Sequence, residues 1–221
     1  MTEDGPGLSL EYLFWEEGLD CVAGLDEAGR GAWAGPVVAA AVVLPPRRAD
    51  LPSALDGVRD SKRLAPSRRE ALRSKIVKAA LATGVGMARP DEIDALGIVP
   101  ATRLAMQRAL GMLGPVRPGA LVIDYLALPA VRLPQQHPAK AEDMSLSVAA
   151  ASILAKVARD WYMVEVDSAY PGYGFARHKG YGTAEHAAAL RQLGPSRIHR
   201  MGFRPVRAVA ESWPEQLALA R

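Results

Sequence analysis

Cysteine is nearly absent: Cys21 is the only one in 221 residues. No internal disulfide is possible, and a reducing compartment fits best. The apolar setting of Cys21 suggests a buried structural thiol. Histidine is also scarce. His137, His178, His186 and His199 lack an HExxH or CxxC companion, so an imidazole or thiolate metal site is poorly supported, and these residues read as surface or structural. Long hydrophobic runs are missing. The longest, around Ala32 to Leu44, is interrupted by Gly35 and Pro36 and is too short to span a bilayer. The first twenty residues carry Glu3, Asp4, Glu11, Glu16 and Glu17 but no Lys or Arg, the wrong composition for a secretory leader. The expectation is a cytoplasmic protein with no membrane partner. No internal repeat or low-complexity tract is found.

What is present describes an ordinary globular chain, 49% apolar and 23% charged, long enough to bury a core in one domain with a small appended subdomain. Net charge is only +3, with a pI near 9.1, yet the basic residues are clustered. Arg63, Arg68, Arg69, Arg73, Lys75 and Lys78 crowd one segment; Arg177, Lys179, Arg191, Arg197, Arg200, Arg204 and Arg207 crowd the C-terminal end. Such clusters suit a polyanionic partner or a solvated surface.

The runs "CVAGL" and "VVAAAVVLP" are bounded by Gly and Pro and read as buried strands, Cys21–Asp26 and Val37–Leu44. A connection of about ten residues favours antiparallel pairing. A helix stripe through Leu72, Ile76 and Ala80 ends at Gly84, and a third strand follows over Gly84–Ala88. The segment from Asp91 to Leu113 reads as mostly helical, with Pro100 marking its start. "ALVIDYLAL" reads as a buried strand ending in Asp124. In "SLSVAAASILAKVARDWYMVEV", Leu146, Ala150, Ile153, Val157, Trp161 and Val164 recur every three or four residues, with Ser145 or Ser147 as cap. A shorter helix is expected over Thr183–Leu193. Strands first, then helices alternating with a strand, argue for an α/β domain with a helical C-terminal appendage.

Two acids stand out. Asp26 follows "VAGL" and Asp124 follows "ALVI", so both charges sit at the ends of buried strands, a costly place unless paired or bound to a cation. Carboxylate oxygens suit hard cations such as Mg²⁺ and Mn²⁺. Glu27 adjoins Asp26, and neighbouring strand residues face opposite sides; a turn or bulge starting near Ala28 would swing Glu27 round. Gly29 and Gly31 expose backbone N–H groups and permit close approach, while Arg30 could fork onto phosphate or hydroxyl oxygen. A tight hairpin with a surface arginine is the plainer alternative.

"GLDEAGRGAWAGPVVAAAVVL", "DSKRL" (Asp60–Leu64), "VIDYLALP", "SLSVAAASILAKVARDWYM", "HKGYGTAEH" (His178–His186) and "HRMGFRPV" (His199–Val206) resemble, in order and spacing, the bacterial ribonuclease HII family of type 2 ribonucleases H. The resemblance runs from about Val22 to Val206. It implies a ribonuclease H-like mixed sheet flanked by helices. The expected division is a catalytic domain over residues 1–165 and a helical, basic C-terminal subdomain over 166–221 contributing Tyr181, or one continuous domain. The resemblance also implies a divalent metal, Mn²⁺ or Mg²⁺, and endonucleolytic cleavage of RNA in RNA–DNA hybrids and at ribonucleotides embedded in duplex DNA, as in ribonucleotide removal and RNA-primer processing. By position, Asp26, Glu27 and Asp124 match the family's metal-binding carboxylates. The fourth acid falls in "KAED", where Glu142 is the positional match and Asp143 stands beside it; either could complete the site. Gly29, Arg30 and Gly31 match an element that resembles a main-chain 2′-hydroxyl reader. Tyr181 matches the tyrosine packed on the sugar 3′ of the ribonucleotide. Lys62 and Lys156 match basic positions near the nucleic-acid backbone, although Lys156 could simply pair with Asp160 one turn on. Gly97 stands where the family commonly has Asn.

The resulting expectation is two-metal phosphodiester hydrolysis giving 5′-phosphate and 3′-hydroxyl ends. A metal nuclease acting on plain DNA, and a non-catalytic hybrid-binding module, are the competing readings. A monomer is the default, and the tail "ESWPEQLALAR" lacks the paired aromatics of a clamp-docking peptide.

Overall fold

The computed structural model describes residues 5–59, 61 and 64–219, with side chains through Trp213; Lys62 lies outside the described residues. In chain order the elements are α1 (Ser9–Glu16), β1 (Val22–Ala28), β2 (Val37–Val43), α2 (Leu51–Ala54), α3 (Pro66–Ala79), β3 (Ala82–Ala88), α4 (Pro90–Leu96), α5 (Ile98–Gly111), β4 (Ala120–Ile123), β5 (Gln135–Gln136), α6 (Leu146–Glu165), α7 (Phe175–His178), α8 (Ala184–Leu193) and α9 (Arg204–Leu219), with 3-10 turns at Ala141–Asp143 and Val166–Ala169. The strands form one mixed sheet in the order β3-β2-β1-β4-β5. β1 pairs antiparallel with β2 and parallel with β4, the mixed α/β architecture the sequence implies.

The chain divides into two compact units. One comprises the residues up to Ala28, Val38–Met87 and Arg103–Ala158; the other comprises Gly29–Val37, Ala88–Thr102 and everything from Arg159 onward. In the first, β1, β2 and β4 are buried on nearly every residue, which is why they read as continuous apolar runs rather than alternating ones. Ala40 and Val42 of β2, Val22 of β1 and Val122 of β4 share a cluster with Leu72 and Ile76 of α3 and Val148 and Ile153 of α6. Gly24 lets α6 lie directly on β1: a Cβ there would come within 2.3 Å of Ser147 Oγ and 2.5 Å of the Val148 nitrogen.

The start of α6 is held from α1. Glu11 is fully buried, and its Oε1 accepts from Ser145 Oγ at 2.7 Å, Ser147 Oγ at 2.6 Å and the Ser147 amide at 2.9 Å. Burial pushes the Glu11 pKa up against these bonds. Ser145 Oγ also accepts from the Val148 amide, the N-cap geometry expected of it.

The second unit packs Tyr173 flat on Phe175, with ring centroids 5.1 Å apart, among Met163, Ala189, Ile198 and Ala34. Thr183 caps α8 by accepting from the His186 amide.

Four expectations are corrected. The helical segment beginning near Asp91 is two helices, because Gly97 takes a φ of 82° between α4 and α5; Pro100 lies inside the second. The stripe of α6 turns over its length. Leu146, Ala150, Ile153 and Val157 are buried, but Trp161 and Val164 are half exposed, and Arg159 and Met163 are buried instead. The register of β1 on β2 is unbroken through Ala28, so no bulge is present at Glu27 and the turn starts at Gly29, with φ 91°; Glu27 is still near enough for its charge to act on Asp26. Cys21 is only partly buried, since it precedes the strand rather than lying in it.

Candidate active site

The register brings the two strand-end acids together. Leu25 of β1 lies opposite Ile123 of β4 in parallel pairing, and the Asp124 amide donates to the Leu25 carbonyl at 3.1 Å. Asp26 and Asp124 are therefore the next residues in step on adjoining strands, and by the period of two they face the same side. Asp26 is buried, and its Oδ1 accepts from the Glu27 amide at 2.6 Å.

Burial holds the Asp26 carboxyl well above the ordinary carboxylate range. The Glu27 charge adds to this, the Ser152 hydroxyl opposes it, and the Asp124 charge adds again. Among the described residues, the groups acting most strongly on Asp26 include no cation. Ser152 is held in turn by Ser61, with their hydroxyls 2.9 Å apart.

Asp124 is anchored from the other side, its Oδ1 accepting from the Ala141 amide at 2.9 Å. That amide opens the 3-10 turn carrying Glu142, which is buried, whereas Asp143 is exposed. Two non-glycine residues with left-handed backbone bracket this arrangement: Tyr125, directly after Asp124, and Lys140, directly before Ala141, each with φ 60°. Strain of this kind persists where surrounding structure over-determines it, often beside functional groups.

Among the described residues, no three His, Cys, Asp or Glu side chains are already drawn into a metal cage. The donor chemistry nonetheless fits a hard divalent cation. It consists of carboxylate oxygens, one of the groups being deeply buried, close enough that Glu27 and Asp124 both resist ionisation of Asp26.

The glycine turn belongs to the second unit. Gly29 needs its positive φ and has no room for a side chain: a Cβ would meet Arg159 Nε at 1.9 Å. Gly31 differs in both respects, being exposed with nothing within 4 Å of a Cβ. Arg30 is half-buried. Tyr181 is half-buried, with the Arg159 guanidinium 5.0 Å from its ring centroid. Lys156 is a half-buried residue of α6 in the first unit.

Three of the four histidines form a buried chain beside Tyr181. His186 Nδ1 lies 2.9 Å from the Tyr181 carbonyl and its Nε2 lies 3.0 Å from His199 Nε2. A carbonyl only accepts, so His186 donates from Nδ1 and accepts at Nε2 from His199. His199 Nδ1 accepts from the Ser196 amide at 2.9 Å. His178 accepts from the Gly180 amide and donates to the Tyr173 carbonyl. His186 and His199 each use the ring in its neutral form. Burial, with repulsion from neighbouring imidazoles, lowers His186 to about 4 and His199 to about 3. Through His186, the trio holds the Tyr181 carbonyl in place.

The family model for ribonuclease HII matches residues 23–206. The chain belongs to the ribonuclease HII family. It is 56% identical over 212 residues to a ribonuclease HII of Thermus thermophilus, covering 96% of this chain and 98% of that one. It is 53% identical over 201 residues to that of Chloroflexus aurantiacus, covering 91% and 94%. The solved ribonuclease H2 of Pyrococcus horikoshii superposes with a TM-score of 0.71 at 26% identity, covering 88% of this chain and 99% of the other. As a ribonuclease HII family member the chain is a hydrolase with ribonuclease H activity.

Sequence reasoning missed Ser61, Ser152, Glu11, Arg159 and Arg200. All five are buried, and in sequence the two arginines read as plain helix or basic surface.

Proposed function

We propose that this ribonuclease HII nicks on the 5′ side of ribonucleotides embedded in duplex DNA, besides cleaving RNA in hybrids. In this reading divalent ions are held by Asp26, Glu27 and Asp124, with Glu142 rather than Asp143 as the fourth acid. The observation that carries it is the in-step pairing of Asp26 and Asp124 at the ends of β1 and β4, with Asp26 resisting ionisation in their shared field. Repulsion of this kind is relieved by a cation and by little else. The burial of Glu142 beside the Ala141 amide that anchors Asp124 favours it over exposed Asp143.

Divalent ions bound there supply activation of water and charge neutralisation at the leaving 3′-oxygen. The protein's own groups do the rest. The Ser152 hydroxyl and the Glu27 amide orient the Asp26 carboxylate, and the Ala141 amide fixes Asp124. The exposed Gly31 amide meets the 2′-hydroxyl, the feature that tells RNA from DNA. Tyr181, backed by Arg159, packs on the following sugar, and Lys156 with the basic C-terminal region draws in phosphates. No protein nucleophile is required, and the products carry 5′-phosphate and 3′-hydroxyl ends.

The test is incubation of a duplex carrying one ribonucleotide with Mn²⁺, with Mg²⁺, or with chelator, alongside an all-deoxy duplex and a long hybrid. Metal-dependent nicking only of the ribonucleotide-bearing strands is expected. Cleavage confined to the long hybrid would reject the embedded-ribonucleotide reading, and equal cleavage of the all-deoxy duplex would reject 2′-hydroxyl recognition altogether.

A further inference from the structure

Arg159 and Arg200 are fully buried, and both point their guanidinium groups at the backbone of the glycine turn rather than at a carboxylate. Arg200 Nη1 donates to the Arg30 carbonyl at 2.9 Å, and its Nε donates to the Gly35 carbonyl at 2.9 Å. Arg159 donates from Nη2 to the Ala34 carbonyl at 3.1 Å and from Nε to the Pro36 carbonyl at 3.0 Å. Further bonds fix the same loop: the Trp33 amide donates to the Gly180 carbonyl, the Gly35 amide to the Ile198 carbonyl, and the Arg200 amide to the Trp33 carbonyl.

We infer that Arg159 and Arg200 are positioning residues for 2′-hydroxyl recognition, holding the loop carbonyls inward so that the Gly31 N–H is turned out to solvent. This rests on the reading of the glycine turn given under Proposed function. All peptide bonds in the loop are trans, and in a trans peptide the C=O and the following N–H point in opposite directions. Fixing the Arg30 carbonyl on buried Arg200 therefore sends the N–H of Gly31 the other way. Gly31 is exposed, and its amide donates to no described acceptor, unlike those of Ala32, Trp33, Ala34 and Gly35. A pinned, solvent-facing amide with no internal acceptor is a donor prepared for a ligand oxygen.

The choice of arginine also needs explaining. A neutral amide side chain could satisfy carbonyls without burying charge. Here two guanidiniums lie near enough to repel, and burial followed by the Arg159 charge brings Arg200 down to about 9, with the Asp94 charge opposing this least. Arg159 Nη1 and Arg200 Nη2 are buried and donate to no described acceptor. Positive charge bonded only to neutral carbonyls under a substrate-reading loop suits a polyanion, whose phosphates supply the counter-charge.

The experiment compares Arg200→Lys and Arg159→Lys with the parent chain, at a temperature where circular dichroism shows each folded. Lysine keeps the charge but cannot span two carbonyls. The quantity read is the ratio of Ki for an all-deoxy duplex, used as competitor, to KM for the duplex with one ribonucleotide. The ratio should fall about tenfold in either variant, through a rise in KM with Ki little changed. Independently of any variant, amide exchange across residues 29–37 of the parent chain should slow with the ribonucleotide duplex and not with the all-deoxy one. A ratio unchanged while both constants drift together, or equal protection by the two duplexes, would overturn the inference. A parent chain that shows no preference between the duplexes would instead sink the function on which it rests.

Discussion

The two glycines of the turn look equivalent in sequence and are opposite in structure, so alanine at each should break a different property. At Gly29 the φ of 91° costs an L-residue about 1–2 kcal/mol. The added methyl would also sit 1.9 Å from Arg159 Nε and 2.4 Å from its Cδ. Arg159 cannot simply swing aside, because it is buried and bonded to the Ala34 and Pro36 carbonyls. Losing one such charged bond costs roughly 1.5–3 kcal/mol. Gly29→Ala should therefore lose about 3–5 kcal/mol, lowering Tm by roughly 10 °C for a chain of this size. Gly31→Ala meets nothing within 4 Å and needs no positive φ, so its Tm should stay within about 2 °C of the parent. Its cost should appear only with substrate: a methyl beside the exposed amide keeps a sugar from approaching, and nicking of a single embedded ribonucleotide should fall about tenfold or more. Thermal melts by circular dichroism and a nicking time course on the same preparations check both halves. A Gly31→Ala chain that melts normally and nicks at the parental rate would refute close approach at this amide. A Gly29→Ala chain as stable as the parent would refute the packing of Arg159 under the turn.

Asp124→Asn should raise Tm in chelator by a few degrees, by removing one charge that opposes Asp26, while abolishing both cleavage and any Mn²⁺-induced rise in Tm; a retained metal-dependent Tm shift would remove Asp124 from the metal set. Tyr125→Gly should stabilise the chain by about 1 kcal/mol, because it relieves a φ of 60° and gives up a side chain 61% exposed; a lower urea midpoint would show that the ring packs usefully after all. His186 and His199 lie below their unfolded value of 6.5, at about 4 and about 3. Stability is thus fully present above pH 6.5 and drains as pH falls towards those values, by at most about 2 kcal/mol at pH 5 from His186 alone; a urea midpoint flat from pH 7 to pH 5 would contradict it.

The sheet and its two strand-end acids could be read locally because burial leaves a local mark. Buried strands appear as unbroken apolar runs, and a charge closing such a run, as at Asp26 and Asp124, is conspicuous by its cost. What was not legible depends on partners far away in the chain. Glu11 meets Ser145 and Ser147 more than 130 residues on. The carbonyls held by Arg159 and Arg200 lie 123 to 170 residues back, and nothing adjacent to either arginine announces them. Gly97 could have been found, since a glycine within a long helical pattern marks a stop as well as a tolerated defect.

Arg159, by contrast, leaves a mark in the helical pattern. Val148, Ser152, Ala155, Arg159 and Met163 are spaced by three or four and are all buried, a second line along α6 beside the apolar one. An arginine in register with that line is as costly as an aspartate closing a strand, and for the same reason. The two charges that sequence reasoning singled out and the two that it passed over are thus one phenomenon. Each is a charge in or at the edge of the core whose hydrogen bonds, among the described residues, go to neutral groups; on the function proposed above, the carboxylates are prepared for cations and the guanidiniums for a polyanion. On that function, a hydrolase holding metal ions and a nucleic-acid backbone would use both.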